Sequence, residues 1–157
     1  MTGDRLPPGD PGPIGSANIG SACAMFDPAG RVLLVKHTYG RLNWELPGGA
    51  CLPGEPPATG AERELGEETG LRLTAKTLSG VYYERDHGLG PMVHFVFRFA
   101  PPATAAPVPA DAEISDVGWF ELGDLPRPMS DFTETRIRDA LDAGTSYRVI
   151  TGRLWLE

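Results

Sequence analysis

The stretch GACLPGEPPATGAERELGEETGL, residues 49–71, carries the strongest signal in this chain of 157 residues. Its second half is predicted to form a helix, in which Glu64, Glu67 and Glu68 stand at i, i+3 and i+4 and share one face. Like charges at this spacing repel each other and destabilise a helix. An ordinary solvated acidic face is the alternative, but such faces usually intersperse Lys or Arg, and only Arg63 is close. The spacing therefore favours a hard divalent cation such as Mg²⁺, which prefers oxygen ligands and is often shared with substrate phosphates.

The full spacing of this stretch is more specific than its carboxylates. Glu55 follows Gly49 by six residues, and the pair Arg63-Glu64 begins eight residues after Glu55. An apolar residue, a spacer, Glu-Glu, a second spacer, Gly and an apolar Leu71 complete the pattern. The stretch resembles the Nudix hydrolase signature and agrees with it at every defined position, over 23 of 157 residues. The flanking segments are similar as well: WELPGG at 44–49, Trp119-Phe120 and Leu125-Pro126.

The resemblance implies a role for each charged position of the stretch. It implies that the metal is held by one backbone carbonyl and three carboxylates, from Gly48, Glu64, Glu67 and Glu68. Arg63 is then expected to pair with one of these carboxylates and to hold its rotamer, as groups behind metal ligands do. Glu55 is expected to brace the loop against the helix. Mg²⁺ is the expected cofactor, and Mn²⁺ is its expected substitute.

Two glutamates compete for the role of general base. By resemblance the base is either Glu67 of the helix or a glutamate on a later loop, and Glu113 lies on such a loop before Trp119. A bound cation depresses the pKa of a ligand such as Glu67 and makes it a poorer base. Glu113 lies outside the metal shell and keeps more basicity, although an ordinary surface carboxylate is an equally good interpretation of it.

The predicted activity is hydrolysis of a diphosphate linkage, in which bound metal neutralises the phosphates and polarises water. The resemblance implies a nucleoside diphosphate-linked substrate, and a small nucleotide such as a nucleoside triphosphate is the first choice. Hydrolysis of ADP-ribose or a nucleotide sugar is one alternative; a non-catalytic nucleotide sensor of the same fold is another. Such sensors usually lose carboxylates that are complete here. Tyr39, Arg98 and Phe132 are candidate substrate contacts, against the alternatives of core packing for the aromatics and a solvated face for Arg98.

The composition limits the partners of the chain. A net charge of −7 and a pI near 4.9 argue against a nucleic acid polymer or an anionic membrane as partner. They are compatible with a small phosphorylated substrate, because a bound metal inverts the local field. Two cysteines without close spacing and the lack of an apolar run near the N-terminus predict a cytoplasmic protein. Both a monomer and a homodimer remain open.

The chain is predicted to hold one domain, residues 19–157, after a flexible Pro/Gly-rich tail at 1–18. Alternation and turn signals predict these elements: a hairpin of 19–26 with 31–37, strands at 73–84, 92–99 and 117–122, a second helix from Asp131 to Gly144, and a closing strand within 147–156. In strand 92–99 the aromatic face is assigned to the core, and His94 and Arg98 to solvent, with a groove lined by these two residues as the alternative. The pattern is α/β, and the resemblance implies a Nudix-like α/β/α sandwich with a mixed β-sheet.

Overall fold

A computed structural model of the protein describes residues 17–88 and 90–157. The predicted tail lies almost entirely outside the described residues, and Asn18 already belongs to the first strand. In chain order the elements of the described residues are β1 (Asn18–Met25), β2 (Val32–His37), β3 (Trp44–Glu45), β4 (Gly48–Ala50), α1 (Pro57–Thr69), β5 (Thr77–Glu84), β6 (Met92–Phe99), β7 (Ile114–Phe120), β8 (Met129–Ser130), α2 (Asp131–Leu141), β9 (Ser146–Ile150) and β10 (Trp155–Leu156).

The strands form a mixed sheet and two smaller antiparallel ones. The largest sheet has the order β4-β1-β6-β5-β9, with parallel pairing of β1 to β6 and of β5 to β9. The second has the order β3-β2-β7, and β10 pairs with β8 beside it. The register of β5 against β6 shifts between Leu78 and Gly80. No helix in the described parts of the chain is long and apolar enough to cross a membrane.

Two separate cores show that helices cover both faces of the sheets. Along β1, Ala22 and Ala24 enter one core, whereas Cys23 and Met25 enter the other. Successive strand side chains point to opposite faces, so this division follows from the pleat. The first core contains apolar residues of α2, and the second contains apolar residues of α1. The predicted α/β/α sandwich with a mixed sheet is therefore confirmed.

Helix α1 begins and ends at signals that the sequence already displays. Pro57 lies in the first turn, where its missing N–H costs no hydrogen bond. Gly70 adopts the left-handed conformation, with φ of 74°, and donates its N–H to the Gly66 carbonyl at 2.9 Å. Ala61 and Leu65 are fully buried in the second core. Their packing fixes the rotation of the helix and holds its carboxylate face beside β4.

Strand β6 corrects the prediction that one of its faces is solvated. His94 is only 9% exposed and Val96 is fully buried in the first core, while Phe97 and Phe99 pack in the second. The aromatic residues thus lie in a core as predicted, but their opposite face is also covered. Alternation of apolar and polar residues predicts a strand with one buried and one solvated face. This prediction is wrong for β6 because α2 covers the face that was assigned to solvent.

Other element boundaries differ from the prediction for local reasons. Strands β1 and β2 share only the bridge Phe26–Val32 and then enter different sheets, so they do not form an extended hairpin. Ser130, not Asp131, caps α2, because its Oγ accepts the Thr133 N–H at 3.1 Å. The helix ends at Leu141, and the predicted closing strand is divided into β9 and β10, which join different sheets.

Candidate active site

Arg63 is the structural hub of the carboxylate face of α1. Its guanidinium donates two hydrogen bonds to Glu55, Nε to Oε2 at 2.8 Å and Nη2 to Oε1 at 3.0 Å. Nη1 donates to Glu64 Oε1 at 3.0 Å and to Glu67 Oε2 at 3.1 Å, and Nη2 also donates to the Ala50 carbonyl at 3.1 Å. All five N–H donors of a guanidinium are thereby used. Arg63 joins the loop, the helix and β4 into one unit and orients two of the predicted ligands.

Glu55 completes this unit from the loop side. Besides Arg63, it accepts the backbone N–H of Leu52 at 3.1 Å. The hydrogen bonds from Arg63 hold the pKa of Glu55 below its ordinary value, although partial burial opposes them. A carboxylate that receives three N–H donors is fixed in one orientation. The contacts are those of the expected brace between loop and helix.

The glycines of β4 allow the strand to approach the helix closely. A Cβ built on Gly49 would lie 2.6 Å from Glu64 Oε1, and one on Gly48 would lie 2.8 Å from Ala22 Cα. Both distances are shorter than real Cβ contacts. A side chain at Gly48 would meet the backbone of β1 and displace the strand, whereas one at Gly49 would displace the Glu64 carboxylate. Gly48 also pairs with Ala22 across the antiparallel ladder. The backbone of Gly48 and Gly49 therefore lies directly against the carboxylate face.

Glu68 is the buried member of the three carboxylates. It is 4% exposed, and among the described residues its Oε2 has no hydrogen-bond partner. Burial first, and then the charge of Glu64, raise the pKa of Glu68 to about 9. A buried carboxylate oxygen without a partner is costly in a folded protein. A cation bound at this position would supply the missing partner and favour the ionised form.

The donor set suits a hard divalent cation, but the carboxylates are not assembled around one point. Among residues 17–88 and 90–157, no group of three or more His, Cys, Asp or Glu side chains is arranged to hold a metal ion. The reason is that Arg63 binds Glu64 and Glu67, and the Glu67 side chain is 51% exposed and directed to that guanidinium. Binding of metal by all three carboxylates requires Glu67 to turn away from Arg63.

The segment before β7 brings two more carboxylates to this face. It has no helix or strand, as predicted, yet it is anchored to the end of α1: Val108 donates its N–H to the Thr69 carbonyl at 3.0 Å and Ala110 to that of Glu68 at 3.1 Å. Glu113 is exposed, accepts the Thr38 N–H through its carbonyl at 2.8 Å and donates its own N–H to Asp111.

The charges of Glu113 and Asp111 act on the carboxylates of α1. Burial raises the pKa of Glu64 against the opposing effect of Arg63, and the charges of Glu67 and Glu113 raise it further. The charge of Asp111 acts on Glu68 in the same direction. The assignment of Glu113 as a candidate base stays a prediction.

A pocket of about 380 Å³ opens beside β4. This volume lies within the ~300–1,000 Å³ that is usual for small-molecule sites. Its lining combines the backbone of β4 with charged and aromatic side chains from distant parts of the chain; the main ones are His37, Tyr39, Asn43, Glu45, His87, His94, Arg136, Arg153 and Trp155. Of the three predicted substrate contacts, only Tyr39 lines this pocket. It is 52% exposed and stacks on His37, with ring centroids 4.6 Å apart.

The other two predicted substrate contacts have structural roles. Phe132 is 2% exposed and packs in the first core, so neither face of its ring is open for stacking on a substrate. Arg98 lies at the end of α2, where its guanidinium donates to the carbonyls of Ala140, Asp142 and Gly144. These carbonyls have no intrahelical partners, which explains why an arginine caps them. The structure brings neither residue to the pocket.

Two arginines that line the pocket, Arg136 and Arg153, form ion pairs that the sequence did not reveal. Arg136 donates Nη2 to Glu45 Oε1 at 2.6 Å. Arg153 donates Nε and Nη2 to the two oxygens of Glu84 at 2.7 and 2.8 Å, and His94 Nε2 lies 2.7 Å from Glu84 Oε2. These groups come from β3, β5, β6, α2 and the segment before β10. The only early signal was the suggestion that His94 could line a groove.

Comparison with known proteins agrees with this geometry. A family model described as NUDIX domain matches residues 18–140. The chain is 32% identical over 142 residues to a MutT-like protein of Streptomyces ambofaciens, covering 90% of this chain and 87% of that protein. The chain is also 47% identical to an ADP-ribose pyrophosphatase of Mycobacterium tuberculosis over 57 residues. This match covers 34% of this chain and 28% of that protein.

Solved structures show the same architecture. The MutT NUDIX hydrolase from Burkholderia pseudomallei superposes with a TM-score of 0.71 at 28% identity, covering 80% of this chain and 98% of that one. The NUDIX domain of Shewanella oneidensis NrtR, complexed with ADP ribose, superposes with a TM-score of 0.68 at 22% identity, covering 84% and 91%. At the latter identity the likeness shows the fold alone.

The fold, the braced helix and the adjoining pocket define a hydrolase that acts on diphosphate linkages. The chain belongs to the Nudix hydrolase family, since the family model spans most of its length and the Streptomyces relative covers nearly all of it.

Proposed function

We propose that the protein is a metal-dependent hydrolase of a diphosphate linkage in a nucleoside diphosphate-linked compound, with a small nucleotide such as a nucleoside triphosphate as substrate. The observation that carries the proposal is the buried Oε2 of Glu68 on α1, which has no hydrogen-bond partner among the described residues. A pocket of about 380 Å³ opens along the adjacent β4. An unpaired buried carboxylate is unfavourable unless a cation completes it. The pocket adjoins β4 and can hold one part of a nucleotide while its phosphates lie on the carboxylate face.

The signature stretch at residues 49–71 is called the box below, and each of its charged residues has a defined task in this proposal. Glu64, Glu67, Glu68 and the Gly48 carbonyl would hold Mg²⁺, with Mn²⁺ as a substitute. Bound there, the ion would neutralise phosphate charge and lower the pKa of a coordinated water. Arg63 is a positioning residue, because it orients Glu64 and Glu67 and contacts them directly.

Proton removal from the attacking water is assigned to a carboxylate near the box. Glu113 is the first choice, because it is exposed, lies on a segment anchored to α1 and acts electrostatically on Glu64. Glu67 is the second choice, and its engagement with Arg63 is the reason to rank it lower. A carboxylate that is outside the metal shell keeps the basicity that general base catalysis requires.

The direct test is chromatographic detection of cleavage in a panel of nucleoside triphosphates, ADP-ribose and a nucleotide sugar, with Mg²⁺, with Mn²⁺ and with EDTA. Each substrate should yield a nucleoside monophosphate, together with pyrophosphate, ribose 5-phosphate or a sugar 1-phosphate respectively. Turnover is expected only with metal. Glu68→Gln should reduce turnover by about a hundredfold or more, which is typical of the loss of a metal ligand or its support. Glu62→Gln is the matched control on the same helix, since Glu62 Oε1 only accepts the Ala75 N–H and an amide oxygen can replace it.

The same panel separates the alternatives. ADP-ribose is included because of the local similarity to the ADP-ribose pyrophosphatase of Mycobacterium tuberculosis. A non-catalytic sensor would bind a nucleotide without cleaving it under any metal condition. Metal-independent turnover, or full activity of Glu68→Gln, would contradict the proposed use of the box.

A further inference from the structure

We propose that Thr38 is a positioning residue that holds the candidate base Glu113 at a fixed place relative to the pocket beside β4. The inference rests on the proposed function, because it needs Glu113 to act on a bound substrate. It adds a residue that belongs neither to the box nor to the lining of the pocket. Two hydrogen bonds and a bulge at the junction of β2 and β7 carry it.

Thr38 binds the backbone of the segment before β7 at two places. Its N–H donates to the Glu113 carbonyl at 2.8 Å, and its Oγ1 donates to the Ala112 carbonyl at 2.9 Å. The first bond continues the pairing of β2 with β7 by one residue beyond β2. The second bond comes from a side chain and therefore depends on the residue type at position 38. Serine retains this donor, whereas valine has a similar shape without it.

A β-bulge decides which residue after β2 lies opposite Glu113. The register shifts by one residue after Lys36, because β7 contains Ser115 as an extra residue. In an uninterrupted antiparallel ladder Glu113 would lie opposite Tyr39. With the bulge it lies opposite Thr38, which is the residue that binds it. Bulges are frequent next to active sites, where they redirect a side chain.

Glu113 is also held from the preceding part of its segment. Its N–H donates to Asp111 Oδ1 at 2.7 Å, and Ile114 donates its N–H to the Asp111 carbonyl at 3.3 Å. Further upstream, Val108 and Ala110 tie the segment to the last turn of α1. The segment therefore runs from the helix of the carboxylates to the end of β2 and is attached at both. Thr38 supplies the attachment on the side of β2.

The chain neighbours of Thr38 form the aromatic wall of the pocket, defined as His37 and Tyr39. Both residues line the pocket, and their rings stack with centroids 4.6 Å apart. Burial first, and then the charge of Glu113, raise the pKa of Tyr39 to about 12. Burial lowers the pKa of His37, and the charges of Glu45 and Glu113 oppose this. Thr38 thus connects the aromatic wall directly to the backbone of the candidate base.

The place of a general base matters because proton transfer needs hydrogen-bond reach to the attacking water. A displacement of about 1 Å slows the chemical step, while contacts that bind the substrate persist. Thr38 is exposed, and a single exposed hydrogen bond contributes little. Loss of its Oγ1 should therefore lower kcat by about threefold to tenfold, without abolishing activity.

Steady-state kinetics of three variants of the full chain test this, with Mg²⁺ and the substrate of the panel that wild type cleaves fastest. Thr38→Val should lower kcat by about threefold to tenfold and leave KM within about twofold. Thr38→Ser keeps the donor and should stay within about twofold of wild type in kcat. Thr145→Val is the matched control. Thr145 Oγ1 donates to the Leu78 carbonyl at 3.1 Å, which is also an exposed bond, but Thr145 does not line the pocket, so kcat should not change.

A double-mutant cycle shows whether Thr38 acts through Glu113. In the Glu113→Gln background, Thr38→Val should change kcat by less than about twofold, because the base that it positions is already gone. A purely structural role would lower kcat equally in both backgrounds. Hydrogen exchange in EDTA gives a readout without turnover: the backbone amides at positions 38 and 113 should exchange faster in Thr38→Val and unchanged in Thr145→Val.

Each contrary result overturns the inference. These results are an unchanged kcat or unchanged amide exchange in Thr38→Val, an equal loss of activity in Thr145→Val, or a loss that persists in the Glu113→Gln background. A silent Glu113→Gln would also overturn it and leave the proposed hydrolysis standing. Absence of metal-dependent cleavage by wild type would overturn the proposed activity and the inference with it, and is distinguishable because it appears before any substitution is made.

Discussion

Replacement of Arg63 by lysine should separate the geometric role of this residue from its charge. Arg63 makes five hydrogen bonds to Glu55, Glu64, Glu67 and the Ala50 carbonyl. A lysine ammonium has three donors on one atom and cannot span these partners, so at least two of the bonds are lost.

The loss of stability expected for Arg63→Lys depends on how far Arg63 and its partners are exposed to solvent. A buried hydrogen bond to a charged partner contributes about 1.5–3 kcal/mol. The Arg63 side chain is 23% exposed and that of Glu67 is 51% exposed, so solvent screening reduces this. We expect a total loss of about 1–3 kcal/mol in the free energy of unfolding. For a domain of this size that lowers Tm by roughly 2–10 °C.

Activity should suffer more than stability. Without the guanidinium, Glu64 and Glu67 lose their common anchor, and loss of a group that orients metal ligands usually costs about 10–100-fold. Steady-state kinetics with Mg²⁺ and urea denaturation in EDTA measure the two effects. Arg31→Lys is the control: Arg31 contacts only Asp27 in the turn between β1 and β2 and should keep full activity. An Arg63→Lys enzyme within twofold of wild type, with an unchanged Tm, would refute the role assigned to the five bonds.

Three further predictions concern metal, base and pH. Millimolar Mg²⁺ or Mn²⁺ should raise Tm in thermal scans and EDTA should reverse this, because metal binds only the folded state; Glu68→Gln should remove the shift, and a shift that survives the substitution would place the metal elsewhere. Glu113→Gln should lower kcat by about tenfold or more with little change in KM, and a kcat within a few-fold of wild type would assign the base to Glu67. Although burial opposes them, hydrogen bonds from His94 and Arg153 lower the pKa of Glu84 to about 2. A depressed pKa contributes stability above the ordinary value near 4.5, and that contribution is lost as pH falls towards 2. Urea denaturation at pH 7 and pH 3 should therefore show a larger loss for wild type than for Glu84→Gln, and equal losses would contradict the network.

The box was predictable because its information is local. The spacing of the glutamates, Pro57 at the start of α1 and Gly70 at its end lie within one short stretch. The need for glycine at Gly48 and Gly49 also appears in the sequence, and the close approach of Glu64 now explains it.

The pocket was not predictable because its information is distributed. Glu45, His94, Arg136 and Arg153 line the pocket, and Glu84 binds Arg153. They come together through the pairing of β5 with β6 and of β10 with β8, and through the packing of α2 on the sheet. Each of these residues, taken alone, resembles an ordinary surface charge. Phe132 was wrongly predicted to contact the substrate for the same reason. The sequence alone does not show whether an aromatic ring faces a cavity or is buried in the core.

The anchoring of the segment before β7 to the last turn of α1 has a consequence for how the protein tolerates change. Its contacts are backbone to backbone, from Val108 and Ala110 to Thr69 and Glu68, so they do not depend on which side chains occupy these positions. The side chains of Val108 and Ala110 can therefore be exchanged while the anchor persists, whereas Asp111 is held by the N–H that its carboxylate accepts from Glu113. Substitution by proline is the exception, because it removes the donated N–H. We therefore expect this segment to tolerate many types of side chain but few insertions or deletions.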